Sequence, residues 1–265
     1  MPPSMRLHRA LARAGYASRR TAEALIAAGR VQVNGIRAKI GQSVEPGRDV
    51  ITLDGRAIGI EPVPDVWIVL NKPAGVMTTR SDPQGRRTVF DLVADVPALV
   101  YAGRLDYDTE GVLLLTTDGD AAHRLTHPST EVERVYVATV QGDGPAGAAR
   151  ARAGVELHDG WVRPHGVTVR ALDGGRWDLE VAIREGRKRE VRRLCRAVGL
   201  HVERLVRTQF GPVRLGRLPA GATRPLSASE RRALSGIVGH AIGPDRPRGG
   251  SARARSARSV DEARP

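Results

Sequence analysis

The chain has little of several things that catalytic and secreted proteins often use. Cys195 is its only cysteine, so no disulfide can form within the chain and no cysteine-based zinc site exists. The seven histidines are scattered, without an HExxH pair, and neither a Walker loop nor GxGxxG appears. Nothing in the sequence asks for a metal, a nucleotide or a redox cofactor, and the expectation is no cofactor. No apolar run is long enough to span a membrane. The start, MPPSMRLHRALARAG, is basic but lacks the apolar stretch of a signal peptide. A cytoplasmic protein with no membrane partner is expected. Aromatic residues make up only 3% of the chain, so each one present is worth weighing.

Positive charge is what the chain has in excess. Its formal net charge is +13 and its pI about 11.1, which predicts a polyanionic partner, most simply nucleic acid or a ribosome. The charge is clustered. Residues 5–60 hold ten basic and four acidic side chains, and residues 183–207 hold nine and three. A general arginine bias would spread evenly.

The first cluster lies on a small unit. Leu7, Ala10, Leu11 and Ala14 recur at helical spacing, with Gly15 as the stop. Ser18 offers an N-cap to a second helix over 19–28, closed by Gly29. Val31-Gln32-Val33 alternates as a strand, and Asn34-Gly35 is a hairpin turn. Further short strands surround Val50 to Leu53, closed by Asp54-Gly55. Arg19 and Arg20 open the second helix, where cations oppose the macrodipole, a placement that makes sense if they hold phosphates. Residues 61–65, EPVPD, form a plausible boundary.

The chain is organised around residues 101–117, YAGRLDYDTEGVLLLTT. Val112 to Leu115 read as a buried strand, entered by a loop that carries Asp106, Asp108 and Glu110 and followed by the turn signal Asp118-Gly119. These carboxylates fit the first half of a calcium loop, but its twelfth position is Thr117 where a bidentate Glu is required, so calcium is excluded. Arg104 and Asp106 share a face of an extended segment, and a nearby Arg keeps a partly buried Asp ionised. Downstream, strands are predicted at 67–70, 131–140, 155–172 and 177–183. Helices are predicted at 121–125 and 187–198, with one at 229–237 that closes the chain. Cys195 falls on the apolar stripe of the second helix with Val191, Leu194 and Val198, as a buried thiol. From His240 on, composition predicts a disordered basic tail.

Residues 103–111, GRLDYDTEG, resemble the signature loop of the RNA pseudouridine synthases, in the form of the RsuA/RluB branch. Three further stretches are similar to that family's motifs in the same order: NKPAGV at 71–76, the strand bearing Tyr136, and REGRKREVRRL at 184–194. The N-terminal unit resembles the S4-type RNA-binding domain. The resemblance implies an α+β fold: an S4-type helix–hairpin domain over 1–63, a catalytic domain with a mostly antiparallel sheet and flanking helices over 64–240, and the tail over 241–265. It implies a cofactor-free isomerase acting on ribosomal RNA or a ribosomal subunit precursor, monomeric by the family expectation. Asp106 is then the catalytic carboxylate and Tyr136 the residue that stacks on the base and takes the final proton. Arg192 is the candidate ion-pair partner of Asp106, with Arg187 as rival. Arg104, Lys72, Arg187, Arg189, Val191, Arg19 and Arg20 are the candidate substrate contacts. Two other classes stay open at this point. One is a noncatalytic ribosome-assembly factor. The other is a glycoside hydrolase pairing Asp106 with Asp108 or Glu110, disfavoured by the scarcity of aromatic platforms.

Overall fold

The computed structural model describes residues 4–60 and 65–243. Residues 61–64 of the expected linker, and residues 244–265 of the expected tail, lie outside the described residues.

The N-terminal unit runs β1 (Met5–Arg6), α1 (Leu7–Arg13), α2 (Arg19–Ala27), β2 (Val31–Val33), β3 (Ile36–Arg37), β4 (Ser43–Val44), β5 (Ile51–Leu53) and β6 (Arg56–Ile58). Leu7, Ala10 and Leu11 pack on Ala22, Ile26, Val31 and Ile51. The Ser18 hydroxyl accepts the Thr21 N–H at 3.1 Å and caps α2. Both hairpin turns have two consecutive positive φ angles, 51° and 79° at Asn34-Gly35 and 50° and 75° at Asp54-Gly55. That is the primed turn whose twist matches the flanking strands.

The second unit continues with β7 (Trp67–Lys72), β8 (Val100–Ala102), β9 (Thr109–Thr116), α3 (Gly119–Thr126), β10 (Arg134–Gln141) and α4 (Gly144–Ala153). It then runs β11 (Val155–Leu157), β12 (Gly160–Val162), β13 (Gly166–Ala171), β14 (Arg176–Ile183) and α5 (Glu190–Ala197). It closes with β15 (His201–Phe210), β16 (Val213–Arg214), β17 (Thr223–Pro225) and α6 (Ala228–Val238). One large sheet has the order β13-β14-β10-β15-β9-β7-β17, with β16 added on β15 and β8 on β9. Every pairing in it is antiparallel except that of β9 with β15.

The Val112–Leu115 run is apolar throughout because β9 is covered on both faces. Val112 and Leu114 pack toward α3 and α6 with Trp67, Leu125, Phe210 and Leu234. Leu113 and Leu115 face the opposite layer with Leu70, Val76, Val89 and Leu105. Each of the four is fully buried, and such burial contributes about 2 kcal/mol per side chain. The acidic loop is therefore attached to the best-anchored strand of the sheet.

Three local expectations are corrected. Asp118 does not simply turn the chain: its carboxylate accepts the N–H groups of Asp120 and Ala121 and caps α3. The single strand expected over 155–172 is broken. Residues 155–162 form a separate hairpin, β11–β12, and Pro164, with no N–H to donate to a ladder, stands before β13. The helix expected from Arg187 begins at Glu190. Arg189 sits in left-handed backbone at φ 52°, and the Glu190 carboxylate accepts the Arg187 N–H at 3.0 Å. Lys188 and Arg189 are thus loop residues. Cys195 is buried as expected, and burial pushes its thiol up to about 12.

Candidate active site

The acidic loop is held from beneath. Lys72, fully buried at the end of β7, donates from Nζ to the carbonyls of Pro73 (2.9 Å), Tyr107 (3.2 Å) and Thr109 (2.9 Å). The Gly75 N–H also donates to the Tyr107 carbonyl, at 2.9 Å, and the Thr78 hydroxyl to that of Leu105, at 2.8 Å. Lys72, expected among the substrate contacts, is instead an anchor of the loop, because burial leaves its ammonium no access to solvent. The same burial lowers its pKa from 10.5 to about 8. Between those values the unfolded chain keeps a proton that the folded chain has released, so this group makes stability rise with pH across that window. The stability of the wild type minus that of Lys72→Met, measured by urea melts from pH 7 to 10.5, should therefore increase above about pH 8. A flat difference would contradict the assignment.

The loop's three carboxylates have different surroundings. Glu110 is gripped by Arg204 through two bonds of 2.8 Å, which hold its carboxyl below the usual range. Asp108 has the Arg189 guanidinium at 3.7 Å, and its carbonyl accepts from Arg192 at 3.0 Å. Asp106 is half-buried and makes no ion pair among the described residues. It alone of the three lines a cavity of about 290 Å³.

That cavity gathers side chains from distant parts of the chain. Arg104 and Asp106 come from the acidic loop, Tyr136 from β10, Arg189 and Val191 from the start of α5, and Arg207 from β15. Tyr136 and Arg207 face one another in the β10–β15 ladder, beside a bulge between Val135 and Tyr136. Arg207 is only 2% exposed. Its Nε donates to the Val112 carbonyl at 2.8 Å, and its Nη1 lies 3.5 Å from the Tyr136 hydroxyl. Its Nη2 is buried without a hydrogen-bond partner. Arg134 is also buried, with its pKa lowered by desolvation, and donates to the carbonyls of Arg184 (2.8 Å) and Glu185 (2.5 Å). The guanidiniums of Arg134 and Arg207 lie 5.4 and 4.9 Å from the Phe210 ring centroid. The walls are thus mostly cationic around the Asp106 carboxylate and the Tyr136 phenol, with the buried Glu190 also in the lining.

Neither arginine considered for the ion pair with Asp106 makes it. Arg192 turns its Nη2 to the Asp108 carbonyl and is absent from the cavity lining. Arg187 borders the cavity, but its guanidinium is bound to Glu185 and to the carbonyls of Asp159, Gly160 and Trp161. Arg207 was not singled out from the sequence. The available signal was its phase: it lies two residues after Leu205 on the buried face of β15, an arginine at an apolar position. Arg19 and Arg20 are exposed at the start of α2, in the N-terminal unit. Among the described residues, no group of three or more His, Cys, Asp or Glu is placed to hold a metal ion, and no helix is long and apolar enough to cross a membrane.

An acidic loop on a covered central strand, facing a basic cavity and preceded by a small basic helix–hairpin unit, describes an RNA-modifying enzyme. The RNA pseudouridylate synthase family profile matches residues 66–197 and the S4 domain profile residues 5–50. An uncharacterized RNA pseudouridine synthase of Mycobacterium tuberculosis is 43% identical over 244 residues, which cover 90% of this chain and 96% of that one. Ribosomal large subunit pseudouridine synthase B of Salmonella typhimurium is 42% identical over 244 residues, 89% of this chain and 84% of that one. A crystal structure of a pseudouridylate synthase superposes with a TM-score of 0.59 at 30% identity, covering 87% of this chain and 99% of that one. The chain belongs to the RNA pseudouridine synthase family, an isomerase family, and carries an S4 domain at its N-terminus.

Proposed function

We propose that this chain converts a specific uridine of large-subunit ribosomal RNA to pseudouridine, with Asp106 as the acting carboxylate and no cofactor. The observation that carries this reading is the cavity in which Asp106, Tyr136 and a ring of arginines converge. The relatives named for the large ribosomal subunit support the choice of RNA. The division into an RNA-binding unit over 1–63 and a catalytic unit over 64–240, a monomeric state and a cytoplasmic location belong to the same proposal.

The reaction is an internal transfer. The bond from the sugar to N1 of uracil breaks, the base turns, and a bond from the same sugar carbon to C5 forms. The C5 proton leaves and N1 regains one. A uridine must first leave its stack, since its C5 edge is unreachable inside a helix. Arg104 and Arg189 suit the phosphates around it, and Val191 the face of the base. Asp106 acts at the sugar–base linkage, as nucleophile at the sugar carbon or as base on a sugar proton; both roles need an ionised carboxylate. Tyr136 takes the C5 proton, with the Arg207 guanidinium 3.5 Å from its hydroxyl to hold the phenol in place. A walled cavity keeps the detached base from water.

Incubation with unmodified large- and small-subunit ribosomal RNA transcripts, followed by pseudouridine mapping, tests the proposal. One new pseudouridine in the large-subunit RNA is expected, and no new pseudouridine in either RNA would refute it. In the N-terminal unit, the double variant Arg19→Gln with Arg20→Gln should lower the slope of log affinity against log salt by about 1.5, since each phosphate contact contributes about 0.7–0.9. An unaltered slope would remove these two residues from the RNA interface.

A further inference from the structure

A second cavity, of about 610 Å³, opens beside the first. Ile183 and Glu190 line both, so the wall between them is one residue thick. The floor is apolar, with Val162, Val167 and Ile183 buried there. The rim is basic, formed by the exposed side chains of Arg152, Arg163 and Arg184. Arg163 donates from Nε to the Arg152 carbonyl at 3.3 Å, and Arg184 Nη2 lies 3.1 Å from His165 Nε2. These two guanidiniums make no other hydrogen bond among the described residues. The two carboxylates in the lining do not cancel the rim, and a third, Glu133, lies outside the lining at 3.7 Å from His165 Nε2. Glu185 is paired with Arg187 at 2.5 Å. Glu190 is 5% exposed, accepts the Arg187 N–H, and has its carboxyl pKa raised by burial.

We infer that this second cavity holds the nucleotide adjacent to the reacting uridine, with its base over the Val162–Val167–Ile183 floor and its phosphate between Arg163 and Arg184. The inference rests on the reading of the first cavity as the uridine site. Extruding one nucleotide unstacks its neighbour, and the neighbour then needs an apolar surface for its base and a cation for its phosphate. Guanidiniums match phosphate oxygens with paired donors, and the volume is that of a nucleotide-sized pocket. Two cavities that share the wall residues Ile183 and Glu190 suit successive nucleotides of one strand.

The test uses the full chain with Arg163→Gln and Arg184→Gln combined, and a control pair, Arg176→Gln with Arg232→Gln, which removes the same charge from exposed positions outside the cavity. With unmodified large-subunit ribosomal RNA, the cavity pair should raise KM about tenfold while leaving kcat within about twofold, and should lower the salt slope by about 1–2. The control pair should move KM by less than about twofold. Both pairs replace exposed side chains, and equal melting temperatures will show that folding is intact. An unchanged KM for the cavity pair, or an equal rise for the control, overturns the inference. If the wild type forms no pseudouridine, the uridine-site reading fails. Equilibrium binding of the same labelled RNA still decides whether this rim takes phosphate, by whether the cavity pair weakens it more than the control does.

Discussion

Asp106→Asn should lower pseudouridine formation by about 10⁴-fold or more while leaving RNA affinity within about twofold. The substitution keeps the size and planarity of the side chain, so the cavity retains its shape. It removes the negative charge that either role at the sugar requires. No neighbour can take over. Glu110 is bound by two donors of Arg204 and Asp108 faces Arg189, neither bordering the cavity, while Glu190, which does border it, is 5% exposed and accepts the Arg187 N–H. Release of the C5 proton from labelled RNA measures the rate, and a filter-binding titration the affinity. A variant that retains a tenth of wild-type turnover would falsify the role given to Asp106.

Gly111→Ala should cost about 3 kcal/mol or more and lower the melting temperature by about 10 °C. Gly111 stands opposite Arg207 where β9 and β15 run parallel. Its φ is 106°, outside the range of L side chains, and a Cβ there would come within 2.2 Å of the Arg207 carbonyl oxygen and 2.7 Å of its nitrogen. The obstacle is backbone in the middle of the sheet, so it cannot swing aside. Separation of the two strands would also shift Arg207, and with it the Tyr136 hydroxyl. Thermal melts of the purified variant give the stability cost. Wild-type stability would mean that the two strands do not approach this closely in solution.

Much of this was legible in the sequence where one local signal decides the outcome. Asn34-Gly35 and Asp54-Gly55 fix hairpins through positive φ, Ser18 caps a helix, and the Val112–Leu115 run announces a doubly covered strand. Asp106 and Tyr136 were legible through motif order, and the structure brings them to one cavity. What the sequence hid depends on where long side chains end. The family resemblance makes Lys72 a candidate substrate contact, yet three backbone carbonyls lie within reach of its ammonium and draw it under the loop. Arg192 and Arg187 stand in the right motif, but a carbonyl of the acidic loop and the carbonyls of the β11–β12 turn capture their guanidiniums. Arg207 was obscured by its neighbours: in a run of arginines, nothing in composition marks the one that points inward. The start of α5 was misplaced because Arg189 adopts left-handed backbone, a choice set by the Glu190 carboxylate turning back onto the Arg187 N–H.

The pairing of Arg187 and Arg193 with Asp159, and of Arg204 with Glu110, changes the meaning of the chain's excess positive charge. These guanidiniums are already neutralised by partners from the same fold, and they shed no condensed ions from an incoming strand. A salt titration of RNA binding therefore counts the cations still open to a phosphate, and that count falls short of the chain's 42 lysines and arginines. Much of the densest basic segment works as internal mortar, fastening a turn and a loop to the catalytic sheet.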